Sequence, residues 1–339
     1  MKVCLYLELG EAPMVRKSGV WSAFQAQKTA LESKGVDVVT DPVRGDYDIL
    51  HLHAYGPRSF YYLKRAKRAG KHVVVHAHSV GSYDLKDGFI LTNQIAPLYE
   101  RYLHYYYRCA DSIFTPSERA KELLLAKGLA KPIEVVHNCI DSRKFSFSPE
   151  KRKQEREKLS LKGFTVICSG NIIPRKGVVD FIEAAHMLPQ FDFVWYGQRW
   201  KFLAFHSRAD RKIRMRSRNL LMPGFVDDMQ AGLSAGDLFF FPSHGETGSI
   251  VLLEAAARRL PLVVRDLPEY RGWLKDGENC LKGCCKEEFV ELIKRAATDA
   301  KLREKLSQGA RATAAEYSLE QVGARLMELY SSMQSKGAD

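Results

Sequence analysis

Short apolar runs alternate with longer amphipathic stretches along most of this chain. The runs "KVCLYLEL", "VDVVT", "YDILHLHAY", "KHVVVHAHS", "SIFTPS" and "IEVVHNCID" are rich in Val, Ile and Leu, and each reads as a strand. Between them, "SGVWSAFQAQKTALESKG" and "SERAKELLLAKG" carry helical periodicity, and the first closes at Gly35. Strands separated by helices imply βαβ units and a parallel sheet. The pattern pauses at "SPEKRKQEREKLSLKG", residues 148–163, which is almost wholly charged and reads as a solvated helix or linker. It then restarts. "FTVICSGN", "FDFVWYG", "LLMPGF", "LFFFPS" and "PLVVRD" are strands, and "VVDFIEAAHML", "DMQAGLSAG", "SIVLLEAAARR" and "KEEFVELIKRAATD" are helices.

The fold class expected is therefore α/β, with two Rossmann-like doubly wound parallel-sheet domains facing a cleft. We place the first domain over 1–147, the linker over 148–163 and the second domain over 164–316. A last helical segment over 317–339 can close either half. Open sheets of this kind bind ligands at the carboxyl ends of their strands. A cleft between two of them can hold a donor on one side and an acceptor on the other.

At 339 residues the length suits two domains, and the 45% apolar content is ordinary. The net charge of +12 is not. It points to an anionic partner: nucleic acid, a phosphorylated substrate or an anionic membrane surface. The excess is +9 over residues 1–163 and +3 over the rest, so the N-terminal half carries most of it. The seven cysteines are scattered and show no CxxC spacing, which reads as reduced thiols in a cytosolic setting. "VCLYL" is too short for a signal peptide, and no apolar run is long enough to span a bilayer. The expected location is the cytoplasmic face of the cell membrane, peripherally bound.

Candidate chemistry falls in a few stretches. "SGNIIPRKGVVDF" puts Gly170 and Asn171 at a strand end, with Arg175, Lys176 and Gly177 opening a helix. Backbone N–H groups at a helix start, with two cations, suit a diphosphate. "SHGETGSIVLLEAAA" holds Glu246 in a glycine-rich turn and Glu254 eight residues on, inside a helix. The turn carboxylate can accept from sugar hydroxyls, and the helical one can reach a ribose. Each also has a plainer reading, as a helix-capping carboxylate and a surface residue. "HLH" at 51–53 and "HAH" at 76–78 put pairs of histidines on one strand face. They read as neutral strand-end histidines in a cleft, and no metal site is expected. Asp46 and Asp48 in "GDYD" read as turn residues.

"YGPRSFYYLKRAKRAGKH" mixes Phe60, Tyr61 and Tyr62 with Arg58, Lys64, Arg65, Lys67, Arg68 and Lys71, uninterrupted by acid. That mix suits a helix lying on an anionic bilayer. "ERYLHYYYR" adds interfacial aromatics, and "RWKFLAFHSRADRKIRMRSRN" is a second basic stretch.

With these residues placed, the chain resembles the retaining GT-B glycosyltransferases of family 4. Glu246 and Glu254 are similar to its E-x7-E motif, Gly170 to Gly177 to its diphosphate segment, and "VVHNCID" to its element before the linker. "HAHSVGSYDLKDGF", "FVWYGQRW" and "LVVRDLPEYRGWLKDGENCLKG" further resemble bacterial glucosyltransferases that act on diacylglycerol. The resemblance implies a UDP-glucose donor, a diacylglycerol acceptor, an α-linked product and a last helix crossing back to the N-terminal domain. It implies catalytic roles for Glu246, His78, Arg175 and Lys176. It implies donor contacts from Gly19, Gly170, Arg175, Lys176, Glu246, Thr247, Gly248, Ser249, Ile250 and Glu254. No cofactor is obligatory; magnesium has no identifiable ligand set. The chain departs from the family at Asn171, at Val20-Trp21, at Cys139 and at Gly248. An alternative is the same fold with another hexose donor, or a polysaccharide or lipid-linked glycan as acceptor. A nucleic-acid-binding protein is favoured by charge alone, but the basic residues fall in separate patches and no such module is evident, so no nucleic acid partner is expected.

Overall fold

The structure is a computed structural model that describes residues 1–86, 92–199 and 207–335. In the first half the chain runs β1 (Lys2–Tyr6), α1 (Pro13–Arg16), α2 (Gly19–Ser33), β2 (Asp37–Val39), β3 (Ile49–Leu52) and α3 (Pro57–Arg68). It continues through β4 (His72–His76), α4 (Ser82–Leu85), α5 (Thr92–Cys109), β5 (Ser112–Thr115), α6 (Glu118–Ala126) and β6 (Ile133–Val135). These strands pair in parallel in the order β2-β1-β3-β4-β5-β6. Strands β3, β4 and β5 are buried along almost all their length, which is why their sequences are continuous apolar runs.

The second half runs α7 (Pro149–Lys158), β7 (Thr165–Ser169), α8 (Val178–Met187), β8 (Asp192–Tyr196), α9 (Ser207–Arg214), β9 (Leu220–Gly224) and α10 (Met229–Ala235). It goes on through β10 (Leu238–Phe241), α11 (Ile250–Ala257), β11 (Leu262–Arg265), β12 (Leu281–Gly283), α12 (Lys286–Thr298), α13 (Ala300–Glu316) and α14 (Leu319–Ser335). Its sheet order is β12-β11-β10-β7-β8-β9, again all parallel. The expected α/β class with two doubly wound parallel sheets is what the chain adopts. Strand order reverses direction between β7 and β10, and a crevice opens outside the strand ends at such a point.

Two features differ from the sequence reading. The charged stretch from Ser148 is a helix with one solvated face, as one of the two readings had it, but its other face is fastened. Ser148 caps α7, and Arg152 donates to the carbonyls of Ser234, Ala235 and Gly236 and to Asp237 at 2.7–3.2 Å. The helix is thereby fastened to the end of α10. The pattern also gave no warning of β12 or of α13. The last helix, α14, packs on α2 in the first half, where Gly323 lies against the Ala30 carbonyl and Tyr330 meets His51. The second basic stretch falls partly on residues 200–206, outside the described residues.

Candidate active site

The ends of β7 and β10, α11 and the first-half loops enclose one cleft of about 720 Å³. It is lined by residues of both halves, among them Gly19, His78, Gly170, Arg175, Lys176, Glu246, Thr247, Gly248, Ser249, Ile250 and Glu254. Every residue singled out as catalytic or donor-binding lines this one space.

Arg175 and Lys176 do not open the helix as expected. They sit on a separate turn of 3-10 helix, Pro174–Lys176, and α8 starts after Gly177. Gly177 is left-handed, at φ +79°, and a Cβ there would fall 2.2 Å from the Pro242 carbonyl oxygen. Only glycine lets this turn press against the end of β10. The turn aims both cations across the sheet. Lys176 donates to Glu246 Oε1 at 2.6 Å, and Arg175 donates to the Gly245 carbonyl at 2.7 Å. The Ser243 hydroxyl donates to the same Glu246 oxygen at 2.6 Å.

Glu246 is buried. Burial alone would raise its carboxyl, but Lys176 and Arg175 outweigh it and hold the group below the usual carboxylate range. Burial pulls the Lys176 ammonium below its ordinary value, with Glu246 opposing. The two form a buried ion pair facing the cleft. Glu254 is different. Half-buried on α11, it has no side-chain partner among the described residues, and burial pushes its carboxyl up to about 8.

From the first half, α2 begins at Gly19 with Ser18 accepting from Trp21 N. A Cβ on Gly19 would lie 3.6 Å from Ile250, so the N-termini of α2 and α11 meet at the cleft. Both present backbone donors, the arrangement that suits an anion. His78 lines the same space. Burial pushes its imidazole down to about 4, so the ring is neutral at neutral pH. Its Nε2 lies 3.1 Å from His53 Nδ1, and its carbonyl accepts from the Thr247 hydroxyl at 3.1 Å.

The other histidines are not cleft residues. His51, His53 and His76 are fully buried and pack as neighbouring rings under the sheet ends. Burial holds each well below its ordinary value. One ring nitrogen of each lies within 4.8 Å of the others. Asp46 pairs with Lys2, and Asp48 accepts from the Lys2 backbone, as turn residues do.

Sequence reasoning missed the residues that fix the 246–249 turn from behind. Ser117 donates to the Thr247 carbonyl at 2.6 Å and Asn138 to the Gly248 carbonyl at 2.8 Å. Tyr83 donates to Glu269 across the same interface. A Cβ on Gly248 would lie 2.6 Å from Pro116. The departure at Gly248 thus has a physical reason: the two halves touch there, and no side chain fits. The signal available was Asn138 in "VVHNCID", next to Cys139.

The basic, aromatic helix is α3. Of its aromatics only Tyr61 stands in solvent; Phe60 and Tyr62 are half-buried against the first-half core. Lys67 pairs with Asp111, and Arg65 donates to the Val43 carbonyl. Lys64 lies over the rings of Phe60 and Tyr105. Arg58, Arg65 and Arg68 are exposed, and Lys71 is half-exposed. The apolar part of the surface comes instead from α5, where Ile95, Leu98, Tyr102 and Tyr105 are exposed, Leu98 by 73%. Among the described residues no helix is long and apolar enough to cross a membrane.

Comparison with known proteins agrees with this geometry. Residues 149–313 match the family "Glycosyl transferases group 1", and residues 30–144 match "Glycosyltransferase Family 4". A processive diacylglycerol alpha-glucosyltransferase of Acholeplasma laidlawii is 35% identical, over 87% of this chain and 88% of its own. An alpha-galactosylglucosyldiacylglycerol synthase of Streptococcus pneumoniae is 26% identical, over 97% and 90%. Among solved structures, Anabaena HepE in complex with UDP and glucose superposes with a TM-score of 0.81 at 17% identity, covering 98% of this chain and all of that one.

Proposed function

The chain belongs to the family 4, group 1 glycosyltransferases, and on that premise we propose that it moves glucose from UDP-glucose to 1,2-diacylglycerol at a membrane surface. The products are α-monoglucosyl-diacylglycerol and UDP. The observation that carries the reading is the single cleft in which two cations, two carboxylates and two helix N-termini converge.

Each part has a role in such a transfer. The diphosphate sits at Arg175, Lys176 and the helix N-termini. As the sugar–phosphate bond breaks, negative charge grows on the leaving phosphate, and fixed cations stabilise it most at that moment. Glu246 accepts from hydroxyls of the transferring sugar. Glu254 takes the ribose hydroxyls, which supply the donors its carboxylate lacks. His78, neutral, faces the reacting sugar from the first half and accepts or donates one hydrogen bond without adding charge. The acceptor hydroxyl attacks from the face the phosphate leaves, and the departing phosphate oxygen takes its proton, so configuration is retained.

The acceptor is dissolved in a bilayer, so the enzyme must rest on one. The α3–α5 surface supports that role, with exposed Tyr61, Leu98, Tyr102 and Tyr105 beside Arg58, Arg65, Arg68 and Lys71. Incubation of the purified chain with UDP-glucose and diacylglycerol in anionic micelles tests the reading. UDP release that depends on diacylglycerol is expected; none, with or without it, removes the proposal.

A further inference from the structure

A second cavity of about 250 Å³ lies against the 246–249 turn, on the side away from Arg175, Lys176 and His78. The first half contributes Arg119, His137 and Asn138 to it; the second contributes Ser249, Glu269, Tyr270 and Trp273. Three polar side-chain atoms of these residues are buried and make no hydrogen bond, Arg119 Nε, Asn138 Oδ1 and Glu269 Oε2, while the Ser249 and Tyr270 hydroxyls face each other. Asn138, Ser249, Glu269 and Tyr270 are exposed by only 6, 7, 5 and 1%. Asn138 also lines the donor cleft, but Arg119 and Glu269 line this space alone; buried polar groups are ordinarily satisfied, and these two call for an occupant.

Their chemistry defines it. Asn138 Oδ1 only accepts, Arg119 Nε only donates, and the two hydroxyls and the Glu269 carboxyl, which burial pushes up, do both. An occupant must therefore carry several groups that donate and accept at once, as hydroxyls do. Glu118, Glu122 and Glu269 outnumber Arg119 and Arg271 around the wall, so an anionic occupant is disfavoured. Tyr317 meets His137 and Trp273 edge to face, at 5.0 and 5.7 Å between ring centres, giving an aromatic corner with one ring face available on each side. The C–H face of a sugar ring packs on such a ring face. The volume equals that of about eight waters, room for a monosaccharide and too little for a nucleotide.

We infer that this cavity binds an uncharged hexopyranosyl ring, free or as a lipid headgroup, behind the turn that holds the donor sugar. The identity of the ring rests on the proposed hexosyltransferase function. Ser117 and Asn138 tie the cavity wall to the carbonyls of Thr247 and Gly248, residues that also line the donor cleft. Occupant and donor therefore change each other's affinity, by the same factor in each direction.

The test uses the full chain saturated with UDP-glucose, so that the donor cleft is filled. Methyl α-glucopyranoside is titrated in by calorimetry. Binding at one site per chain is expected, with a dissociation constant on the order of millimolar, weakened at least tenfold in Arg119→Met and in Glu269→Gln. Absence of saturable binding, or binding unchanged in both variants, overturns the inference. Melting curves confirm that the variants fold; if Glu269→Gln does not, Arg119→Met on the surface of α6 decides alone. Vesicles with and without α-glucosyl-diacylglycerol then separate the sources. Stronger retention on the glucosylated vesicles, lost in Arg119→Met, supports the lipid headgroup. Equal retention on both overturns that source. Turnover on diacylglycerol without hexoside binding defeats this inference alone, and hexoside binding without turnover defeats the function alone.

Discussion

Lys176 and Glu246 form a buried pair in the cleft, and this shapes what a substitution there does. Lys176→Ala is expected to cut turnover by roughly 10²–10³, the cost of losing one preorganised charge at the leaving group. It also strands a buried carboxylate, a loss of about 3 kcal/mol in stability. The double variant Lys176→Met with Glu246→Gln separates the effects: thermal melting recovers while turnover does not. Glu254 supplies a pH signature. Its folded carboxyl titrates near 8, well above its ordinary 4.5. The unfolded chain therefore loses this proton first, and the group makes the folded protein less stable as pH rises from 4.5 to 8. Ribose hydroxyls favour the ionised form, so UDP binding measured by calorimetry is expected to tighten roughly tenfold between pH 6.5 and 8.5. Glu254→Gln flattens both slopes; a slope that persists assigns it to another group. The spacing of Glu246 and Glu254 was legible in the sequence. That Lys176 occupies Glu246 was not, because an ion pair across 70 residues leaves no local pattern.

At the scale of elements, the helices and strands with strong periodicity were legible, and for the charged helix α7 only the packing partner was missed. A run such as "PEKRKQEREK" names no partner, so it looks solvated; only the fold shows Arg152 reaching three carbonyls at the end of α10. Arg152→Ala is expected to destabilise the chain by about 2 kcal/mol in denaturant melts, the scale of lost charge-assisted hydrogen bonds. The membrane surface was half legible. Composition marked α3, but helical phase turns Phe60 and Tyr62 inward and gives the exposed apolar face to α5. Replacing Leu98, Tyr105 and Arg65 together by Ser is expected to lower binding to anionic vesicles on the order of tenfold in co-sedimentation. UDP affinity stays unchanged; its loss would make the patch a structural one.

Across the whole molecule, the restart of the βαβ pattern made the two-sheet architecture legible, while the contacts between the halves were silent in the sequence. They run through side chain to backbone bonds at Thr247 and Gly248, through Tyr83 and Glu269, and through α14 on α2. Gly248→Ala wedges a methyl group against Pro116. It is expected to raise KM for the donor roughly tenfold, the scale of about 1.4 kcal/mol, with each half still folded by circular dichroism. The central claim concerns the reaction itself. The most direct measurement is NMR of the lipid made from ¹³C-glucose-labelled UDP-glucose and diacylglycerol. A labelled glucosyl-diacylglycerol with the small anomeric coupling of an α-linkage is the predicted result. A β-linked product, or label found only in free glucose, contradicts the account.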